Sequence, residues 1–177
     1  LLAVVQLNAA HAGSKAAQPE LYISVQKISE ENTGRYGYRL RYIVPVPIES
    51  YWRFKTDFDN EIISTSAAIS EHKFIRSVGN HYYTENRFSA APGTRFVWKT
   101  TVVNKAYKLT FELVNTKEIG HKFHYGSIQL SPAGDHTIVM QQAFFDFRGA
   151  SFWVSYPWYG GMKSTLTSVA RWEQKTA

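Results

Sequence analysis

Asp146 stands between Phe145 and Phe147 at the end of a strand-like run. A carboxyl group in such surroundings is a candidate for acid–base work. If the side chain faces an apolar interior, desolvation raises its pKa toward the range where it can hold and release a proton. The plainer reading is an outward carboxylate paired with Arg148 or a neighbouring strand. Gln141 and Gln142 lie just upstream. Adjacent strand residues point to opposite faces, so one amide must face inward. There it needs a hydrogen-bond partner, which a ligand hydroxyl or carbonyl can provide.

The remaining reactive residue types point less clearly to chemistry. His121 and His124 are separated by Lys122 and Phe123. On a regular strand that spacing places them on opposite faces, against a shared metal ion. Asp135-His136 reads as a turn carboxylate beside a surface histidine, and Glu71-His72 reads the same way. Ser151 lacks the glycines of a nucleophile elbow and suits a helix N-cap. No phosphate loop, nucleophile elbow or zinc-protease helix is found, and no cofactor is implied. The chain has no cysteine, which excludes disulfides, thiol catalysis and cysteine-ligated metals.

The elements that must position these groups are mostly strands. Residues 21–29 alternate as a strand, and a turn at Glu30–Gly34 leads to a second strand over 35–44, a predicted hairpin. Pro45 and Pro47 end it, and Pro47 is placed to open a helix over 47–57. That helix carries Ile48, Tyr51, Trp52 and Lys55 on one face. A second short helix is expected near 61–68. Strands then follow over 73–78, 81–88, 95–103, 107–115, 122–130 and 136–147. Turn signals separate them, such as Gly79-Asn80, Ala91-Pro92-Gly93 and Pro132-Ala133-Gly134. Such short connections make antiparallel neighbours.

Alternation assigns the faces. Tyr82, Thr84, Asn86 and Phe88 share one side of their strand, opposite Glu85 and Arg87. Phe96, Trp98, Thr100 and Val102 oppose Arg95 and Lys99, while Tyr107, Leu109, Phe111 and Leu113 oppose Lys108 and Glu112. These strands therefore have one apolar and one charged face. In the last two strands Gly126 is read as a bulge, and Phe144-Phe145 breaks the pattern. The closing segment, from Ser151, reads as one long helix. Phe152, Tyr156, Tyr159, Met162, Leu166, Val169 and Ala170 recur at helical spacing, with Trp172 close by. Gly160-Gly161 costs about 2 kcal/mol of helix propensity. A start after Gly161 is therefore an alternative, with Pro157 to Gly161 as a hinge.

Aromatic residues make up 15% of the 177, a composition that favours strands and large apolar faces. The net charge of +6 is scattered without a basic run, so no nucleic-acid footprint is present. It makes a solvated basic surface, or one drawn to an anionic membrane or an acidic partner. Residues 1–12 are apolar and uncharged and end in Ala10-His11-Ala12. They read as the back half of a secretory signal peptide, with residues 13–19 as a linker and 20–177 as a single domain. That predicts a periplasmic or secreted protein, with a cytoplasmic one as the alternative.

The order of elements resembles the helix-grip fold of the START-like superfamily, also known as the polyketide cyclase/dehydrase and lipid-transport or SRPBCC group. The resemblance rests on YIVPVPIESYWRFKTDFDN (42–60), PGTRFVW (92–98) and GGMKSTLTSVARW (160–172). It implies an α+β fold with a curved antiparallel sheet of about seven strands wrapped on a long C-terminal helix, and two short helices after an early strand. It also implies a deep apolar cavity. The walls would be Tyr82, Phe96, Trp98, Leu109 and Phe111 from the sheet and Trp153, Met162, Leu166 and Val169 from the helix side. Thr84, Thr100 and Gln141 would add polar groups, the usual make-up of a small-molecule site. The leading expectation is a carrier for a lipid, sterol, quinone or polyketide-like ligand. An enzyme of the cyclase, aromatase or isomerase type, with Asp146 as acid–base group and Tyr125 or Tyr82 behind it, is the alternative. A protein-interaction module using Trp158 or Tyr159 is a third reading.

Overall fold

The computed structural model describes residues 22–66, 68–89, 91–147 and 159–177. The signal-peptide and linker readings, and those on Ser151, Trp153, Pro157 and Trp158, lie outside the described residues. Eight strands form one antiparallel sheet: β1 (Ile23–Ser29), β2 (Tyr36–Val44), β3 (Ile69–Val78), β4 (His81–Phe88), β5 (Ala91–Val103), β6 (Lys108–Leu113), β7 (His121–Ala133) and β8 (His136–Phe147). Their spatial order is β1-β2-β8-β7-β6-β5-β4-β3. From β3 to β8 the chain meanders through short turns. Three of these connections carry a glycine in the left-handed region, Gly79 at φ 59°, Gly120 at φ 70° and Gly134 at φ 64°, where a side chain would be strained. The crossover from β2 to β3, at opposite parts of the sheet, is made by α1 (Ile48–Thr56) and a 3-10 turn over Glu61–Thr65.

Local chemistry explains these connecting helices. Pro47 occupies the N-cap of α1 at φ −58°. Glu49 in the first turn and Arg53 and Lys55 in the last complement the helix dipole. Asn60 caps the 3-10 turn by accepting a hydrogen bond from the Ile62 amide at 2.9 Å. The C-terminal helix, α2 (Tyr159–Thr176), packs on β1 and β2. It runs helically through Gly160 and Gly161, so the alternative of a start after them does not hold. Burial of its apolar face outweighs the propensity cost of the glycines.

The core gathers Leu40, Tyr42 and Val44 of β2, Val139 of β8, Leu130 of β7 and Leu109 of β6 against Ile48 and Tyr51 of α1 and Ala170 of α2. Each large aliphatic side chain here contributes about 2 kcal/mol by leaving water. The apolar faces expected on β4, β5 and β6 point inward: Thr84, Phe96, Thr100, Val102, Leu109 and Leu113 are all buried.

Several local expectations need correction. The predicted turn at Ala91-Pro92-Gly93 is extended chain that opens β5. Phe88 pairs with Ala91 and Asn86 with Phe96, so Pro92 falls in a bulged stretch where its missing N–H disrupts no regular ladder. Gly126 does not mark a bulge. It pairs with Phe111 and Ala143, and a Cβ there would come within 2.6 Å of the Phe111 ring and 2.0 Å of the Gln142 carbonyl. The glycine is the space into which Phe111 packs.

The bulge of β7 lies instead between His121 and Phe123. It resets the strand's parity. His121 and His124 therefore do not lie on opposite faces: both pack against the inward aromatics of β5, His121 at 5.7 Å from Phe96 and His124 at 4.7 Å from Trp98.

Candidate functional site

A cavity of about 320 Å³ opens between the sheet and the C-terminal helix. Strands β4, β5 and β6 contribute Thr84, Asn86 and Phe88, then Trp98 and Thr100, then Leu109 and Phe111. Further round, β7 adds His124 and Ile128, and β8 adds Gln141. Opposite them stand Lys55 and Phe58 at the end of α1 and Val169 and Glu173 of α2. His72 and Ile69 of β3 close one flank.

The site residues expected from sequence divide by position along the strands. Thr84, Trp98, Thr100, Leu109, Phe111, Gln141 and Val169 line the cavity. Tyr82 does not, because its ring is stacked on Phe58 at 4.4 Å. Phe96 is buried edge-on against Phe88 at 4.9 Å, and Met162 is buried in the helix face. Leu166 packs on the core cluster. Alternation assigns a residue to a face; it does not say how far along the strand the cavity extends.

The polar end of the cavity is a network that sequence reading missed. Lys55 Nζ donates to Glu173 Oε1 at 2.8 Å. The hydroxyls of Tyr42 and Tyr51, 3.1 Å apart, both donate to Glu173 Oε2. Burial pushes the Glu173 pKa up, but the Lys55 charge and these hydrogen bonds outweigh it and hold the carboxyl below its ordinary value. Burial, together with the charge of Glu173, pushes both tyrosines well above the ordinary phenol range, so they stay protonated donors. The available signal was Glu173 itself, a carboxylate falling at helical spacing on the same face as Val169 and Ala170. Its partners are more than a hundred positions away in sequence.

The histidines are held differently. His72 has both ring nitrogens engaged, Nδ1 with Asn86 Oδ1 at 2.6 Å and Nε2 with the Phe58 carbonyl at 2.9 Å. His124 sits among the rings of Trp98, Phe111 and Phe145. Burial, reinforced by His121, lowers its pKa to about 3, so the ring is neutral. Beside it, the indole N–H of Trp98 is buried without an acceptor among the described residues. No group of three or more His, Asp or Glu among the described residues is arranged to hold a metal ion.

Asp146 does not line this cavity. It lies 3.7 Å from Lys122, with its side chain 26% exposed. Tyr125, expected behind it, donates to Glu30 at 2.7 Å and accepts from Arg35 at 3.2 Å. Gln142 faces away from the cavity and accepts from Arg39 Nε at 3.0 Å. Glu71 pairs with Arg87 at 3.1 Å, and Asp135 is exposed in its turn.

No protein-family model and no curated protein matches the sequence. Solved structures do match its fold. The Zhui aromatase/cyclase from Streptomyces sp. R1128 superposes with a TM-score of 0.62 at 8% identity, covering 86% of this chain and 93% of that one. Norcoclaurine synthase from Thalictrum flavum gives 0.55 at 12% identity over 98% and 97%. Ara h 8.0201 gives 0.53 at 11% identity over 86% and 94%. The architecture is the helix-grip fold that these structures share, with a large antiparallel sheet, a short helix after the early strands and a closing helix.

Proposed function

We propose that this chain binds a hydrophobic small molecule in the cavity between the sheet and α2. The carrying observation is the composition of the wall. Apolar surface from Phe58, Phe88, Leu109, Phe111 and Val169 surrounds a small set of polar groups, among them Thr84, Thr100 and Gln141. A volume of about 320 Å³ lies within the range of ordinary ligand sites. Removing apolar ligand surface from water at about 25 cal/mol per Å² drives binding without a reactive group.

The similarity to an aromatase/cyclase and to norcoclaurine synthase keeps a catalytic use of the same cavity as a second reading. The observation favouring it is the Lys55–Glu173 pair at the cavity's edge; Asp146 is not among the residues lining the cavity. Native mass spectrometry before and after organic extraction tests the binding reading. A bound apolar mass is expected, and Val169→Trp, which fills the cavity, should remove it while leaving the circular dichroism unchanged. Identical ligand loading in Val169→Trp would sink the assignment to this cavity.

A further inference from the structure

We propose that the outer face of the sheet carries a second binding site, which takes a phosphate monoester through Arg39 and Arg41. It does not depend on the inner cavity being a ligand site. Strand parity separates the two. Leu40 and Tyr42 of β2 are buried in the core, so Arg39 and Arg41 beside them point outward. A groove of about 360 Å³ lies on that side, across β1, β2, β8 and β7. Ser24 of β1 and Met140 of β8 flank Arg41 in register, and both line the groove. Tyr22, just before β1, and Ser131 of β7 line it further along.

The charge of this groove is uncompensated. No residue lining it is acidic. The exposed guanidinium of Arg41 makes no hydrogen bond, ion pair or ring contact among the described residues. Arg39 donates from Nε and Nη2 to the side-chain oxygen of Gln142, at 3.0 and 3.1 Å. That neutral partner orients the guanidinium and leaves its charge and Nη1 open. Elsewhere on the sheet cations are paired with acids: Lys99 with Glu112, Arg87 with Glu71 and Lys122 with Asp146. Two residues apart on one strand, the arginine stems start about 7 Å from each other, so both guanidinium groups can converge on one anion. A phosphate monoester brings close to two negative charges at neutral pH and three acceptor oxygens, which suit two forked donors. A carboxylate neutralises only one of them, and a neutral molecule gains nothing from either. Tyr22 and Met140, 51% and 37% exposed, offer apolar surface beside the arginines, so the phosphate should carry an aromatic or aliphatic body.

The test uses the full chain and titrates phenyl phosphate, inorganic phosphate, benzoate and benzyl alcohol by calorimetry at low salt. Phenyl phosphate is expected to bind about tenfold tighter than benzoate. Inorganic phosphate should bind more weakly than phenyl phosphate, for want of the apolar body, and benzyl alcohol not at all. Arg39→Gln and Arg41→Gln should each weaken phenyl phosphate about tenfold, with unchanged circular dichroism because neither side chain is in the core. Arg41→Lys, which keeps the charge and loses the fork, should fall between. Val169→Trp should bind phenyl phosphate as the wild type does, which separates this site from the inner cavity. Flotation with phosphatidylcholine vesicles containing phosphatidic acid distinguishes the source of the phosphate. Vesicle binding that phenyl phosphate competes away assigns a lipid headgroup; phenyl phosphate binding without vesicle binding assigns a soluble ester. Failure of phenyl phosphate to bind, equal affinity for benzoate, wild-type affinity in both glutamine variants, or loss of binding in Val169→Trp overturns the proposal and leaves the inner-cavity reading untouched.

Discussion

The two polar regions of the cavity are built on opposite principles. At one end, Glu173 is saturated by Lys55, Tyr42 and Tyr51, and the network ties α2 to β2 and α1. Across the cavity, the Trp98 indole is buried beside neutral His124 with no acceptor among the described residues. A saturated network fixes architecture, because every group in it is lost together when one is removed. A buried donor left unmet is a cost to the fold. One polar region holds the elements of the cavity together, and the other is a local cost that such contacts offset.

The largest effect should come from breaking the saturated end. Glu173→Leu leaves the partly buried Lys55 without its anion and the buried tyrosine hydroxyls without their acceptor. A loss of about 3–5 kcal/mol in chemical denaturation is expected. Lys55→Met combined with Glu173→Leu should recover more than half of that loss. An additive double variant would show that Lys55 and Glu173 do not act as a unit.

Next in size is the pH response of His124. In the unfolded chain a histidine takes up its proton near 6.5, whereas in the fold it resists until about 3. The folded pKa is depressed, so its contribution is complete above about 6.5 and drains away as pH falls toward 3. At pH 4.5 the loss is about 3 kcal/mol relative to pH 7.5. His124→Phe should flatten that part of the stability profile, measured by denaturation at both pH values. Glu173, with its lowered pKa, should add a further loss only below the ordinary carboxylate range.

Thr100→Val sharpens the comparison from the ligand side. Its hydroxyl borders the cavity, so stability should change by less than about 1 kcal/mol, while the bound-ligand fraction in native mass spectra should shift. The smallest effect is expected for Asp146→Asn. Its ion pair with Lys122 is partly exposed at 3.7 Å, and such pairs contribute about 0–1 kcal/mol. Ligand loading should be unchanged. A loss of binding in Asp146→Asn would reopen the acid–base reading of that residue.

Much of this was legible in the chain. Within an uninterrupted strand, parity is strict, so Thr84, Trp98, Thr100, Leu109 and Phe111 could be placed on the inner face from alternation alone. The same rule failed on β7, where the bulge between His121 and Phe123 inserts an extra residue and reverses parity. It also failed to separate Trp98 from Phe96, neighbours on one face, of which one lines the cavity and the other is packed beneath Phe88. Lys55 was visible on its helix face, but nothing local announced Glu173 as its partner.

By itself, the sequence determined the order of the strands in the chain, the inner faces of β4 to β6 and the amphipathic cover of α2, because those depend on short-range periodicity and turn chemistry. Only the tertiary structure decided that β2 lies beside β8, which brings Tyr42 of β2 to Glu173 of α2 and leaves Trp98 facing an open volume. Those relations depend on how distant segments pack, and side-chain satisfaction in a core is a property of that packing rather than of any stretch of sequence.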